Sequence, residues 1–566
     1  MSEQREIPAA SPDPRHDPDD PQSAIREAID GYRDRRDRES EASLARLCSA
    51  YPHIAASQAA RLQIAGERDL PLMIYDTILP AWRNEDGVGI FNNLAVLACQ
   101  QDDYDQAWRW VRHALAVDPR AGGELAFQAG KTAQYVGNRI AFWRGLEAAK
   151  AVAPDDIRYW SASYVETAFR SHPDAAQAGG PATPAPMPDS ERPDRPAMAE
   201  QPVRIALVGR DFDNIASFNR LYGPFRHLPA LGFDIVCVSI RNSFNLDKAH
   251  IPGFVYHHVP ENDEPALTAK LRELAPDIIF DLVSHGAPTA YLSYFRRPAP
   301  LILGWAGSGI SSGTTVFDGF VTDPILCPNG AERHYSERIV RLPGPSVTVE
   351  PLASYPDSSG LPADRNGFVT FGAYHRLSKV TPDAIDLWGR ILAKLPGSRM
   401  VLKTAFAESP VVQASFRQQI ANHGISGERI AIQPMTPPPH HQTVVANTDI
   451  TLTPFPEQGL VTDFDHLWMG IPTIAYAVDD RPCARLTSAL ATAAGAPFLA
   501  TRTPEEYVNL AVDLATDKGY LNRARKSYRP NLVAAGMTDH ARTAGMMAEA
   551  IRSLWRDIRV DGRSAG

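Results

Sequence analysis

Apolar positions between about residue 23 and residue 170 recur at intervals of three and four, in a background of Ala, Leu, Arg and Glu. That is the pattern of packed amphipathic helices. From Val203 the period changes. Short apolar runs bounded by Gly, Pro or Asp alternate with helical stretches: VRIALVG (203–209), FDIVCVSI (233–240), PDIIFDLVSHG (276–286), LILGWAG (301–307) and FDGFVTD (317–323). After a loose stretch, SYPDSSGLPADRNG (354–367), a second series follows. It comprises FVTFGAY (368–374), SRMVLKTA (398–405), ERIAIQPM (428–435), TDITLTPF (448–455) and IPTIAYA (471–477). Continuous apolar runs of this kind predict buried parallel strands. Two successive Rossmann-like halves, 203–360 and 361–556, imply a cleft between them, with helical sequence from about 504 to 556 closing the chain.

The helical part carries a repeat. The segment FNNLAVLACQQDDYDQAWRWVRHALAVDP puts Leu94, Ala95, Tyr104, Ala107, Ala114 and Pro119 at the positions of a tetratricopeptide-like unit. The next unit, AFQAGKTAQYVGNRIAFWRGLEAAKAVAP, repeats the spacing through Ala126, Gly130, Ala148 and Pro154. An earlier one runs from Pro52 to the break at Asn84-Glu85-Asp86. Small residues let paired helices approach, and the terminal proline stops the second helix. The expectation is a helical repeat domain over 23–170. Residues 1–22 read as a disordered tail, and 171–202, SHPDAAQAGGPATPAPMPDSERPDRPAMAEQP, as a Pro/Ala-rich linker.

Composition narrows the function. The net charge of −9 disfavours nucleic acid as the main partner. Five scattered cysteines form no CxxC pair, so neither a disulfide scaffold nor a zinc module is expected. No apolar stretch is long enough to span a membrane, and the acidic, Pro-rich N-terminus does not read as a signal peptide. A cytoplasmic protein is expected.

Ligands of open parallel sheets bind beyond the carboxyl ends of the strands. Arg210, Asp211 and Asn214 follow the first strand; Asp281, Ser284, His285 and Gly286 follow the third; a Gly/Ser/Thr loop (307–315) follows the fourth. No GxGxxG spacing occurs, which disfavours a dinucleotide site. In the second half, Arg376 and Lys379 lie just beyond a strand end, where two cations suit a diphosphate. Gly459 and Thr462 open a helix carrying Asp465 and Trp468, and the unpaired N–H groups of a helix N-terminus stabilise phosphate oxygens. His440 and His441 fall on a loop between strands, where an imidazole could stack on a base. No DxD motif sits where a metal ion would bridge a diphosphate, so no metal and no cofactor beyond a nucleotide-sugar co-substrate is expected.

Three segments together, 296–344, 368–402 and 448–474, resemble the O-GlcNAc transferase family, glycosyltransferase family 41. The resemblance covers roughly 203–555 and implies tetratricopeptide repeats followed by a GT-B pair of Rossmann-like domains. It implies that Lys379 supports leaving-group departure, that Arg376 faces the donor phosphates, that His441 packs on the nucleobase and that Asp465 binds ribose. Gly459-Leu460-Val461-Thr462 corresponds to the family's phosphate-cradling GHTT turn, and Asp281-Leu282 through His285 to its DLxGHT-like segment. Three positions depart from the pattern: Leu460 and Ile215 replace family histidines, and Pro438 replaces a base-proximal lysine.

The expected reaction is metal-independent transfer of a sugar, UDP-GlcNAc being one donor, to Ser or Thr of a protein acceptor held by the repeats. His285 and Asp211 are the candidate acceptor bases. Some bacterial relatives modify flagellin with nonulosonic acids from CMP-activated donors, which makes flagellin a candidate acceptor. A non-catalytic repeat adaptor with a degenerate GT-B domain is the rival from another class; a glycan- or lipid-directed enzyme would not need the repeats.

Overall fold

The computed structural model describes residues 20–166 and 202–564, apart from 65–66, 68, 82–87, 101–102, 136, 211, 214–217, 242–243, 245–253, 356–359, 406 and 437. The expected tail (through residue 19) and the expected linker (through residue 201) lie outside the described residues. Two compact units emerge, divided near Ala153.

The first is the helical repeat. Its helices are α1 (Pro21–Arg35), α2 (Arg38–Ala50), α3 (Pro52–Ile64), α4 (Asp69–Ile78), α5 (Val88–Gln100), α6 (Tyr104–Val117), α7 (Pro119–Tyr135) and α8 (Arg139–Val152). Pro21 already opens α1, inside the stretch expected to be a tail, because Asp20 caps it by accepting from the Ser23 N–H. Asp37, Asp103 and Asn138 cap α2, α6 and α8 in the same way. Leu94, Ala95, Ala107, Ala114 and Ala126 are all buried, as the repeat spacing requires. Where α7 crosses α8, Gly130 meets Gly145: a Cβ on Gly145 would stand 2.2 Å from the Ala126 carbonyl oxygen. Only hydrogen fits there.

The second unit begins with a ninth helix, α9 (Ile157–Glu166), which the periodicity had grouped with the repeats. It belongs here because Ile157 and Trp160 bury themselves against Tyr291, Tyr294 and Val238 of the first α/β lobe. That lobe is a seven-stranded parallel sheet of β1 (Val203–Gly209), β2 (Phe233–Ile240), β3 (Val255–Val259), β4 (Ile278–Asp281), β5 (Leu301–Trp305), β6 (Gly319–Thr322) and β7 (Ile339–Arg341), in the order β3-β2-β1-β4-β5-β6-β7. The second lobe has β8 (Thr370–Ala373), β9 (Arg399–Lys403), β10 (Ile430–Gln433), β11 (Ile450–Leu452), β12 (Thr473–Tyr476) and β13 (Ala500–Thr501), ordered β10-β9-β8-β11-β12-β13. Both orders reverse beside their first strand, β1 or β8, which sets the ligand crevice of a doubly wound sheet at that strand's carboxyl end. This is the GT-B architecture.

The closing helix, His540–Ser564, does not stay with the second half. Val349 N–H donates to the Met537 carbonyl at 2.9 Å, and His540 Nδ1 meets Thr348 Oγ1 at 2.7 Å. The Arg552 guanidinium lies over the Phe233 ring, 5.3 Å from its centroid. Ile551 and Trp555 are buried in the common core.

Adding one methyl at the α7–α8 crossing should separate two backbones. Gly145→Ala is expected to destabilise the helical unit by about 1–3 kcal/mol, read as a lowered thermal midpoint of the helical signal in circular dichroism. An unchanged midpoint would show that the helices do not cross this closely.

Candidate active site

Strand β8 ends at Ala373, and the chain runs through Tyr374, His375 and Arg376 into a single 3-10 turn, Leu377–Lys379. Thr381 then caps the helix Pro382–Lys394, its hydroxyl accepting from the Ala384 N–H at 3.2 Å. The turn is thus pinned between a strand end and a helix start. Two cations hang from it. Lys379 Nζ is 3.0 Å from Glu457 Oε1 and donates to the Gln458 carbonyl at 3.0 Å. Arg376 Nη2 donates to the same Glu457 oxygen at 3.3 Å. Lys379 is only 14% exposed and Glu457 16%, whereas Arg376 is 59% exposed at the mouth. Burial pushes the Glu457 carboxyl up, but Lys379 and Arg376 beside it outweigh that and hold it below the usual carboxylate range.

The loop after β11 leads through Gly459 to the helix Val461–Trp468, with Thr462 on its first turn. Under this turn lies Asp463, fully buried. It accepts from Thr453 Oγ1 at 2.8 Å and from Thr487 Oγ1, and His375 Nε2 lies 3.3 Å away. Although burial would raise it, His375 and His466 keep this carboxyl well below its ordinary range. A Cβ on Gly459 would fall 2.5 Å from Asp463 Oδ2, so the turn must carry glycine. Gln458 closes the loop, its Oε1 accepting from the Thr487 N–H at 2.9 Å.

His440 and His441 do not lie on a loop. They sit on the helix Pro438–Ala446, because prolines in a first turn forfeit N–H groups that have no helical partner anyway. The His441 ring meets Tyr374 edge-on at 5.9 Å. Burial, with Lys403 nearby, pushes its pKa down to about 4, so it is a neutral ring suited to packing on a base. His440 is exposed.

Asp465 is already engaged. Both its oxygens accept from Arg220 of the first lobe, at 2.6 and 2.9 Å, and Arg220 Nε donates to the Glu350 carbonyl at 2.7 Å. A ribose would have to share this carboxylate with a buried guanidinium. His285 is committed elsewhere too. The Ser311 carbonyl, 3.0 Å from Nε2, can only accept, so Nε2 carries the proton and Nδ1 accepts from Ser161 Oγ at 2.8 Å. Tyr164 stacks on the ring at 4.9 Å, and burial lowers its pKa to about 4. His285 therefore fastens α9 to the first lobe, with no nitrogen left to take an acceptor proton. Asp211 and Asn214 lie outside the described residues. Asp281 is pinned by the Tyr294 hydroxyl at 2.8 Å and the Ser284 N–H at 2.7 Å, and burial raises it to about 6. The Gly/Ser/Thr loop is partly consumed internally: Ser311 Oγ and the Ser312 N–H bind Glu337 at 2.7 and 2.6 Å.

The Cys483 carbonyl accepts from the Gln458 N–H at 2.9 Å, which ties the loop bearing Glu457 to the segment before the next helix. Glu457, Gln458 and Asp463 escaped the residue-by-residue reading; the one visible signal was an acidic residue two places before Gly459 in a segment expected to bind phosphate.

Residues 344–535 match the model of glycosyl transferase family 41. The chain carries a family 41 glycosyltransferase domain. It is 29% identical over 64% of its length to the Hordeum vulgare protein named "Probable UDP-N-acetylglucosamine--peptide N-acetylglucosaminyltransferase SPINDLY", covering 39% of that protein. The Arabidopsis thaliana SPINDLY protein is 28% identical over 63% of this chain, 40% of its own length. The chain thus spans about two fifths of the curated relatives it matches. The fold is that of a Thermobaculum terrenum O-GlcNAc transferase mutant, with TM-score 0.73, 24% identity, and coverage of 95% of this chain and 98% of that one. The family 41 domain holds Arg376, Lys379, His441, Gly459, Thr462 and Asp465, whereas His285 and Asp211 precede it. Among the described residues no helix is long and apolar enough to cross a membrane.

A neutral, buried His285 lowers the folded-state pKa to about 4 against an ordinary 6.5. Its stabilising contribution is present above 6.5 and lost as pH falls toward 4. The stability difference between wild type and His285→Gln, from urea unfolding, should therefore grow as pH rises from 4 to 6.5 and level off above. A difference independent of pH would mean that His285 titrates normally.

Proposed function

We propose that this chain is a protein O-glycosyltransferase: it moves a sugar from a nucleotide-sugar donor to Ser or Thr of a protein acceptor docked on the helical repeats, in the cytoplasm. The donor proposed is UDP-GlcNAc, the nucleotide sugar after which the SPINDLY relatives are named. The observation that carries the reading is the convergence of Lys379 and Arg376 on one point at the carboxyl end of β8, beside the turn that starts the helix Val461–Trp468.

As the sugar–phosphate bond breaks, negative charge grows on the departing phosphate. Lys379 meets that charge from a fixed position, held by the Gln458 carbonyl, and Arg376 adds a second donor from the mouth. Groups aimed beforehand at developing charge need no reorganisation during the reaction, and one such donor is typically worth about 3–4 kcal/mol. In this reading the two side chains take the part that a bridging metal plays in other transferases. The neutral His441 ring packs on the base, and Leu460, Val461 and Thr462, at the start of the helix, offer backbone N–H groups to phosphate oxygens. The repeats present the acceptor and raise its local concentration at the cleft.

Lys379→Ala is the test. Intact masses of proteins co-expressed with the wild-type chain should gain a step of one N-acetylhexosamine, and the variant should cut the rate of that step by about a hundredfold. Transfer undiminished in the variant would remove the mechanism; no transfer by the wild type would favour the adaptor reading.

A further inference from the structure

A phosphate-binding site is ordinarily net positive, yet this one carries its own anion. Glu457 sits 3.0 Å from Lys379 Nζ and 3.3 Å from Arg376 Nη2, and a single oxygen, Oε1, receives both cations. Asp463 adds a second buried carboxylate under the adjoining turn, next to His375, whose pKa burial lowers. Glu457 thus offsets part of the charge that Arg376 and Lys379 bring to one point. Asp463 lies below the turn, fully enclosed, with Oδ2 accepting from Thr453 and Thr487 and Oδ1 facing His375 Nε2 at 3.3 Å. Glu457 differs: its carboxylate lies directly against the two groups that a donor phosphate needs.

We infer that Glu457 is an exchangeable counter-anion, occupying the cations in the empty site, yielding them to the donor phosphate and reclaiming them when the nucleotide product leaves. This rests on the assignment of Lys379 and Arg376 as phosphate ligands. The physics follows from burial. A lysine ammonium this enclosed needs an anionic partner at all times, since an unpaired buried charge is costly. Glu457 supplies the partner between turnovers and keeps Lys379 aimed. The same carboxylate then stands beside the bound phosphate and repels it, weakening ground-state and product binding alike. It remains ionised because its two cations hold it below the usual carboxylate range, so the competition operates throughout the neutral pH range.

Glu457→Gln keeps the size and the accepting oxygen and removes the charge. Titration calorimetry with UDP, GDP and CMP as probes should show the best-bound nucleotide gaining about tenfold in affinity in this variant, with a steeper loss of affinity on adding salt. UDP should also become a stronger product inhibitor of transfer. Glu457→Asp, which restores the charge, should return the affinity toward that of wild type. Tighter binding cannot come from a damaged fold, so the supporting result is unambiguous. Equal or weaker binding by Glu457→Gln, with wild type binding and Lys379→Ala not, overturns the exchange while sparing the phosphate site. Should wild type bind none of the three nucleotides, or Lys379→Ala bind as well as wild type, the phosphate site itself falls and the exchange with it.

Discussion

A carboxylate with two cations on one oxygen, sunk at the end of a parallel sheet, governs much of what surrounds it. Removing Lys379 and Glu457 from water is costly unless each finds partners in fixed places. The surrounding chain supplies them. Gln458 gives its carbonyl to Lys379, and its side chain ties the loop to Thr487. Thr453 and Thr487 hold Asp463 beneath Gly459, and the glycine leaves room for that carboxylate. The turn that bears Lys379 is itself clamped between β8 and the cap of the next helix. Rigidity at the cation pair is thus a consequence of satisfying buried polar groups, and the same rigidity is what electrostatic catalysis asks for.

The two lobes are joined by groups that a sequence reader would assign to ligands. Arg220 reaches from the first lobe to grip both oxygens of Asp465, and the closing helix returns to cover the first sheet's lobe. A buried bidentate pair of this kind contributes little net stability relative to apolar packing, but breaking it leaves a stranded charge. It therefore serves to fix one lobe orientation. His285 makes the same point on the other side: flanked by Tyr164 and Trp160 and bonded at both nitrogens, it anchors α9.

Strands with continuous apolar runs could be read directly from the sequence because they are buried on both faces; β1 and β2 match the expected runs end to end. The strands that escaped were β3, β7 and β13, at or near sheet edges, short and half-exposed, where VYHHV or IVR carries no apolar run. Helix Pro438–Ala446 was missed because consecutive prolines read as a breaker, although a first turn tolerates them. At the site, Arg376, Lys379, Gly459 and Thr462 were visible from their place after strands. Glu457, Gln458 and Arg220 were not, since a pairing across 79, 81 or 245 positions leaves no local pattern.

The account stands on Lys379 and Arg376 receiving the donor's phosphate between the lobes. A crystal structure with UDP bound tests this most directly. It should place a phosphate oxygen within hydrogen-bonding distance of Lys379 Nζ, with Glu457 withdrawn from at least one of its two cations and the base against His441. UDP bound away from Lys379, with the Glu457 pairs intact, would contradict it.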